Sequence, residues 1–144
     1  MSKSTLFVEG TITPGFISNA IAKHSTKTGI GAHQIFLGQI RADEKENGVV
    51  QSIEFTAYRE MAEKQYSEIR EELFDTYSLS CMHVYHSLGN IRVGEINLFV
   101  FVSSKHRKDA TEACRELVEK IKNDLPIWGK EIFGKENYSW KVNR

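Results

Sequence analysis

Two lysines stand on either side of a rigid corner near the end of the sequence. The stretch "IKNDLPIWGKE", residues 121–131, contains Lys122, Pro126, Trp128 and Lys130. An ammonium group binds an anion as a compact charge and, once deprotonated, relays a proton, so gathered lysines are typical of sites for anionic reactants. The same pattern is typical of lysines whose stems lie beside a core stripe with their amines in water. The stretch by itself leaves both interpretations open.

A second group of cations lies at a junction between two predicted elements. The stretch "SSKHR", residues 103–107, follows an apolar strand-like run and directly precedes a helical pattern. Backbone N–H groups at a helix start and nearby cations bind anions together, so we predict a phosphate or carboxylate site at His106 and Arg107. Ordinary surface charge on a loop is the alternative. A further cation, Arg41, ends the strand-like run "FLGQIR", in which Gly38 permits close backbone approach.

Composition limits the classes of partner. The chain has 144 residues, 40% hydrophobic and 26% charged, which favours one globular domain spanning residues 1–144. Its 19 basic and 19 acidic residues cancel, so we expect neither nucleic acid nor a membrane surface as a partner. We find no apolar run of the roughly 20 residues that a bilayer span needs, and no secretory signal pattern at the start of the sequence. We therefore expect a cytoplasmic protein.

The two cysteines and the nearby histidines were considered as a metal site. Cys81 lies in a strand-like run and Cys114 on the apolar side of a helical pattern, so both are predicted to be buried free thiols. Cys81 and His83 would share one face of a strand, while His86 would point to the other. Because these three converge poorly, we predict no metal site, and we expect no bound cofactor.

Periodicity predicts three helices, of which the third is the clearest. The helices are a short one in "TPGFISNAIAKHS", a second from Glu60 to Phe74, and a third from about Lys108 to Asn123 that Pro126 ends. Lys120 and Lys122 lie at opposite edges of the apolar stripe of the third helix, so periodicity cannot choose between them.

Four longer runs read as strands, namely "AHQIFLGQIR", "VVQSIEFTAY", "CMHVYHSLG" and "EINLFVFVSS". The first two are predicted to pair as a hairpin through Asn47-Gly48, a turn signal. The last is apolar on both faces, which is typical of a central strand covered on both sides.

Four motifs together resemble one known family. "FLGQIR", "IEFTAYREMAE", "SSKHR" ahead of a helix, and "IKNDLPIWGKE" occur in the order and spacing of the catalytic, large subunit of molybdopterin synthase, the MoaE family. The resemblance covers residues 31–140 approximately. It implies an α+β fold of the α/β-hammerhead type, with a mostly antiparallel sheet and about three helices. It also implies a homodimer that binds two small ubiquitin-like sulfur-carrier subunits, forming a heterotetramer.

The same resemblance implies a sulfurtransferase. In this family the thiocarboxylated C-terminus of the carrier gives sulfur to cyclic pyranopterin monophosphate, and two transfers build the dithiolene that later holds molybdenum. By resemblance, Lys122 takes the position of the essential lysine, which would anchor the carrier tail and relay protons. The remaining implied positions are the phosphate ligands Arg41, His106 and Arg107, and the walls of the pocket and tail tunnel, Phe36, Pro126 and Trp128.

Two positions depart from the family pattern. The family has a lysine directly after the tryptophan of "IKNDLPIWGKE", whereas this chain has Gly129 there and Lys130 next, so we carry Lys130 as a second catalytic candidate. An arginine usual after the histidine of "YHSLGNI" is replaced by Ser87. These losses keep open a weakened homologue that acts as a carrier-binding scaffold, and a cation contributed by a neighbouring subunit. The C-terminal "ENYSWKVNR" is either an ordered strand or a tail that folds around a partner.

Overall fold

A computed structural model describes residues 6–134 and 138–141. Within these residues the chain forms one seven-stranded sheet, one two-stranded sheet and three helices. In chain order the elements are β1 (Phe7–Glu9), α1 (Pro14–Lys23), β2 (Ala32–Gln39), β3 (Glu44–Lys45), β4 (Gly48–Val49), β5 (Ser52–Ala57), α2 (Arg59–Thr76), β6 (Cys81–Arg92), β7 (Ile96–Ser104), α3 (Arg107–Asp124), β8 (Ile127–Ile132) and β9 (Tyr138–Trp140).

The large sheet is almost entirely antiparallel. Its strand order is β2-β7-β6-β5-β8-β9, and β1 pairs with β6 in parallel. Strand β7 lies between β2 and β6, and its residues Leu98 to Val102 are all 0% exposed. The prediction of a central strand covered on both faces is confirmed, as is the α+β class with three helices.

The helices cover opposite faces of this sheet. Helix α1 packs with Phe16 and Ile17 against Phe99 and Phe101 on one face. Helices α2 and α3 cover the other face, where apolar residues of α3 pack on alternate residues of β6 and β7. Because successive side chains of a strand point to opposite faces, each position of β6 belongs either to the α1 side or to the α3 side.

The three helices confirm the periodicity analysis to within two residues at each end. Thr13 caps α1, its side chain accepting a hydrogen bond of 3.1 Å from the Phe16 N–H. Helix α3 buries one stripe and ends where Leu125 and Pro126 begin an extended segment. That stripe contains Ala110, Ala113, Cys114, Leu117 and Ile121.

The predicted hairpin between the first two strand-like runs is wrong. Strands β2 and β5 do not pair with each other, because β7 and β6 lie between them. The Asn47-Gly48 turn closes the short β3–β4 hairpin instead, with Gly48 at φ 118°. The turn signal was therefore correct locally, but it does not decide which longer strands pair, because β2 pairs with β7, a strand far from it in sequence.

Two other expectations concern the cysteines and the C-terminal stretch. Cys81 and Cys114 are both buried and free, as predicted. Of the C-terminal stretch, Tyr138 to Trp140 form a strand paired with β8, which favours the ordered alternative, while residues 136, 137 and 142–144 lie outside the described part. Among the described residues no helix is both long and apolar enough to cross a membrane.

The α3 stripe generates a test of the packing. Leu117 is 0% exposed, so Leu117→Ala should lower the free energy of unfolding by about 2–5 kcal/mol through lost burial and a residual cavity. Urea denaturation measures the change. Lys108→Ala, an exposed position on the same helix, is the matched control and should change stability by less than about 0.5 kcal/mol. Equal stabilities for the two variants would contradict this packing.

A candidate anion site at the end of helix α3

A pocket lies where the C-terminal turn of α3 meets the sheet. It is bounded by the last turn of α3, by β5, β6, β7 and β8, and by the residue after β9. Its lining residues are Phe55, His86, Asn97, Leu98, Ile121, Lys122, Ile127, Gly129 and Lys141. The ammonium groups of Lys122 and Lys141 therefore share one partly apolar pocket. The stretch "IKNDLPIWGKE" contributes to it through the end of α3 and through β8.

Lys122 is one of these ammonium groups. It stands in the last turn of α3 and is half-buried. Burial lowers its pKa below the ordinary lysine value, and the charges of Lys141 and Arg41 lower it further, while Glu119 opposes them. A lowered pKa increases the neutral amine fraction near pH 7, which suits a group that relays protons. Of the two lysines that periodicity left open, Lys122 lines this pocket, whereas Lys120 pairs with Glu72 at 3.5 Å.

Lys141, the second ammonium group, was missed in the sequence analysis. Its backbone N–H donates to the Gly129 carbonyl oxygen at 2.8 Å, which continues the β8–β9 pairing by one residue. Burial lowers the pKa of Lys141, and Arg41 lowers it further, against the opposing effect of Glu131. The alternation in "NYSWK" was the available signal, but only strand pairing places Lys141 opposite Gly129.

Arg41 stands beside the two lysines at the end of β2. Its charge acts on the pKa values of both Lys122 and Lys141. The guanidinium is 75% exposed and contacts Asp43 at 3.3 Å. The pocket thus has two half-buried amines and one solvent-facing guanidinium at its rim, an arrangement that attracts an anion from solution.

His86 lines the same pocket as a neutral side chain. It is 6% exposed, and its Nδ1 lies 2.8 Å from the Ser87 carbonyl oxygen. Because a carbonyl only accepts, Nδ1 carries the proton and Nε2 is left as an acceptor. Burial lowers the pKa of His86 to about 4, with Lys122 and Lys141 acting in the same direction against that hydrogen bond. The imidazole is therefore uncharged at pH 7 and adds no further cation to the pocket.

Lys130 lies on the opposite face of β8. Gly129 and Ile127 face the pocket, so Lys130 and Trp128 point the other way by strand alternation. The Lys130 amine contacts Glu54 at 3.5 Å and lies 4.6 Å from the centre of the Tyr138 ring. Lys130, the second catalytic candidate of the sequence analysis, is therefore not among the residues that line this pocket.

Gly129 faces the pocket with little space around it. A Cβ at this position would lie 2.9 Å from Ile53 Cγ2 and 3.1 Å from Phe55 Cε1. Both neighbours are buried, so neither can move without cost. On this backbone, therefore, position 129 does not accept a longer side chain without displacement, and Lys141 lies opposite it across the strand pair.

His106 and Arg107 are not brought to this pocket within one chain. His106 precedes α3 and Arg107 begins it, whereas Lys122 lies in its last turn. His106 and Lys122 are sixteen helical steps apart, which corresponds to about 24 Å. The length of α3 therefore holds His106 and Arg107 away from the Lys122 pocket of the same chain, and a neighbouring subunit is the alternative that the sequence left open.

The remaining predicted pocket residues lie outside the lining of this pocket. Phe36 lines a separate hollow between β2 and α3. The carbonyl oxygen of Pro126, directly before β8, accepts a hydrogen bond of 3.1 Å from the Tyr58 N–H. Trp128 is 49% exposed, so it does not cap the core. Ser87 pairs with Val8 of β1, is 0% exposed and is not among the residues that line the pocket.

Comparisons with known proteins agree on one family. The model of the MoaE protein family matches residues 12–124. The molybdopterin synthase catalytic subunit of Pyrococcus abyssi is 38% identical over 81% of this chain and 77% of its own length. That of Oryza sativa subsp. indica is 36% identical over 84% of this chain and 62% of its own length.

Solved structures give the same picture. A crystal structure of molybdopterin synthase from Staphylococcus aureus superposes with TM-score 0.84 at 28% identity, covering 99% of this chain and 100% of that one. A complex of subunits 1 and 2 of molybdopterin-converting factor from Helicobacter pylori has TM-score 0.81 at 20% identity, covering 96% and 90%, and is similar in fold.

The close packing around Gly129 generates a prediction. Gly129→Ala should lower the free energy of unfolding by about 1–3 kcal/mol, because the new methyl overlaps Ile53 and Phe55. The control is Gly134→Ala, where a Cβ has no neighbour within 4 Å among the described residues. Thermal or urea unfolding of both variants gives the comparison, and an undiminished Gly129→Ala stability would show that the strand moves freely here.

Proposed function

The chain belongs to the MoaE protein family, and on that premise we propose that it is the catalytic subunit of a molybdopterin synthase. This role lies in molybdenum cofactor biosynthesis. The proposed reaction transfers sulfur from the thiocarboxylated C-terminus of a small ubiquitin-like carrier to cyclic pyranopterin monophosphate. In each transfer the thiocarboxylate sulfur bonds to a pterin carbon, and the oxygen on that carbon leaves as water. A water molecule then hydrolyses the bond between the sulfur and the carrier, whose tail becomes a carboxylate.

One observation supports this chemistry above the others. Burial lowers the pKa of Lys122, and the nearby charges of Lys141 and Arg41 lower it further. Like charges gathered in a half-buried pocket are unfavourable until an anion enters. Both proposed reactants are anionic, one through its thiocarboxylate and one through its phosphate, so the pocket is suited to bringing them together.

We assign the roles within the pocket as follows. Lys122 anchors the carrier tail and moves protons as sulfur attacks and water leaves, because burial and the neighbouring charges lower its pKa and so favour release of its proton. Lys141 supplies the ammonium that other family members carry one strand away, at the position of Gly129. Arg41 draws the substrate phosphate to the rim. Lys130 is removed from the catalytic set, because it faces Glu54 and Tyr138 on the other side of β8.

A second copy of the chain would complete the site. His106 and Arg107 are exposed cations beside the start of α3, far from Lys122 of the same chain. In a twofold dimer, each surface contacts the partner at an equivalent place, so the start of one α3 can meet the end of the other. We propose that His106 and Arg107 of one protomer bind substrate phosphate at the Lys122 pocket of its partner. With one carrier on each protomer, the assembly is a heterotetramer.

The carrier itself would contact the outer face of β8 and β9. Trp128, Tyr138 and Trp140 are all exposed on this face, at 49%, 55% and 58%. Exposed aromatic clusters are typical of protein interfaces. Gly129 and Lys141 lie on the inner side of the same two strands, so a carrier bound here would have its tail one strand away from the pocket.

We also keep the prediction of a cytoplasmic protein.

Single-turnover sulfur transfer tests the assignment of the two amines. Thiocarboxylated carrier and cyclic pyranopterin monophosphate are mixed with excess protein, and dithiolene product is followed. Lys122→Ala should slow product formation by at least about 100-fold, because it removes the proton relay. Lys141→Ala should slow it by about 10- to 100-fold, because it removes one cation from the transition state.

Lys130→Ala is the matched control for Lys141→Ala. It removes an amine from the adjacent strand but from the opposite face, and should change the rate by less than about threefold. A large loss in Lys130→Ala with normal turnover in Lys141→Ala would reverse our choice between them. If carrier binds the unmodified protein and no product forms, the scaffold alternative replaces the synthase assignment.

Mixed dimers test whether the site is shared. His106→Ala and Lys122→Ala chains should each be inactive as purified homodimers. When the two are co-expressed, half of the dimers are mixed, and each mixed dimer has one intact site, so activity should recover to about a quarter of the unmodified level. Arg41→Ala with Lys122→Ala is the control pair, since both residues belong to one pocket and no recovery is expected. Failure of His106→Ala to complement would place the complete site within one chain.

A further inference from the structure

A second cluster of polar side chains lies on the α1 face of the sheet. His24 follows the last residue of α1, and Cys81 and His83 stand near the start of β6. One imidazole nitrogen from each histidine and the Cys81 sulfur all lie within 4.8 Å of one another. His24 and Cys81 are each 7% exposed. Strand alternation predicted that His86 points away from Cys81 and His83. The third side chain of the cluster is instead His24, at the C-terminal end of α1.

The hydrogen bonding of His24 directs one nitrogen into the cluster. Its Nδ1 lies 2.7 Å from the Ala20 carbonyl oxygen, so Nδ1 carries the proton and Nε2 keeps its lone pair. That Nε2 lies 3.2 Å from Nε2 of His83. A histidine that ligates a metal usually donates its far N–H to a carbonyl or carboxylate, which fixes the tautomer and the ring orientation.

The distances fit a tetrahedral ion. Two nitrogens bound to zinc at about 2.0–2.1 Å lie about 3.3 Å apart, close to the 3.2 Å observed between His24 and His83. A simple hydrogen bond between the two imidazoles would explain their contact but gives no reason for the nearby sulfur.

Cys81 has a cation beside its sulfur. The Lys27 ammonium donates to the Cys81 sulfur at 3.1 Å. The thiolate is the cysteine species that binds metals. Lys27 is an exposed residue, so its long side chain can turn to solvent when an ion takes its place at the sulfur. The sulfur then needs to approach the two nitrogens by about 1 Å.

From this geometry we infer that the chain binds one zinc-class ion through His24, Cys81 and His83. One thiolate and two imidazoles form a ligand set that suits Zn²⁺. Three protein ligands leave a fourth tetrahedral position for water or for His33, whose ring centre lies 6.1 Å from that of His24. The ion would tie the end of α1 to β6. Its site lies on the face of the sheet away from Lys122, so the inference does not depend on the proposed function.

Metal titration of the full-length chain without an affinity tag tests the site. We expect one equivalent of Zn²⁺ to remain bound after dialysis against metal-free buffer. At a free zinc concentration 100 times the dissociation constant, the unfolding equilibrium constant should fall by about 100-fold. Co²⁺ should give a thiolate-to-cobalt charge-transfer band together with the intense visible bands of a tetrahedral ion.

Substitution of each ligand separates this site from surface binding. Cys81→Ser should abolish the charge-transfer band and the zinc-dependent stabilisation, and His83→Gln, a second variant that keeps a polar side chain, should weaken both. Cys114→Ser is the matched control, because Cys114 is the other buried cysteine and lies on the opposite side of the sheet, and it should retain both signals. Absence of stoichiometric zinc in the unmodified protein, or a charge-transfer band that survives Cys81→Ser, would overturn the inference.

Discussion

The crowding of like charges at the end of helix α3 is the constraint on which the candidate site depends. Lys122 and Lys141 are both half-buried beside Arg41, and burial together with these charges lowers the pKa of each amine. The partial negative charge at the C-terminus of α3 offsets part of this cost for Lys122. For Lys141 the offset comes from Glu131, which is 2% exposed and also holds Lys45 at 2.8 Å. The pocket is therefore balanced to keep cations in place before an anion arrives.

The position of Lys141 explains how the pocket can keep a second cation although Gly129 stands where the family resemblance implies a lysine. Gly129 and Lys141 are opposite each other on β8 and the residue after β9, so their side-chain positions face the same pocket. Exchange of an amine between cross-strand neighbours moves its backbone attachment by one strand spacing, about 5 Å, which a lysine side chain can span. An offset of one residue along the same strand, to Lys130, reverses the direction of the side chain. In a sheet, a neighbour across the strand is a better substitute than a neighbour along it.

Local patterns predicted what local interactions decide. The three helices and the fully buried strand β7 followed from periodicity, whereas the candidate Lys122 followed from the family resemblance, because periodicity could not separate it from Lys120. The pairing of β2 with β7, the contribution of Lys141 and the approach of His24 to Cys81 did not, since each depends on contacts between residues far apart in sequence. The prediction that His86 points away from Cys81 and His83 was correct, because alternation along a strand is itself a local property. Strand order was the information that the sequence patterns lacked.

The rigidity of α3 has a consequence for the unit of function. An 18-residue helix is about 27 Å long and holds His106 and Lys122 at its two ends, beyond the reach of one phosphate. Strand β2 separates Arg41 from the start of α3 in the same way, because Ala32 pairs with Ser104 at one end and Gln39 with Ile96 at the other. Two independent elements therefore hold the cations in two groups. Neither α3 nor β2 can bend without breaking the buried stripe and the strand pairs that they form. Both groups of cations can therefore serve one anion only if two chains bring opposite ends together.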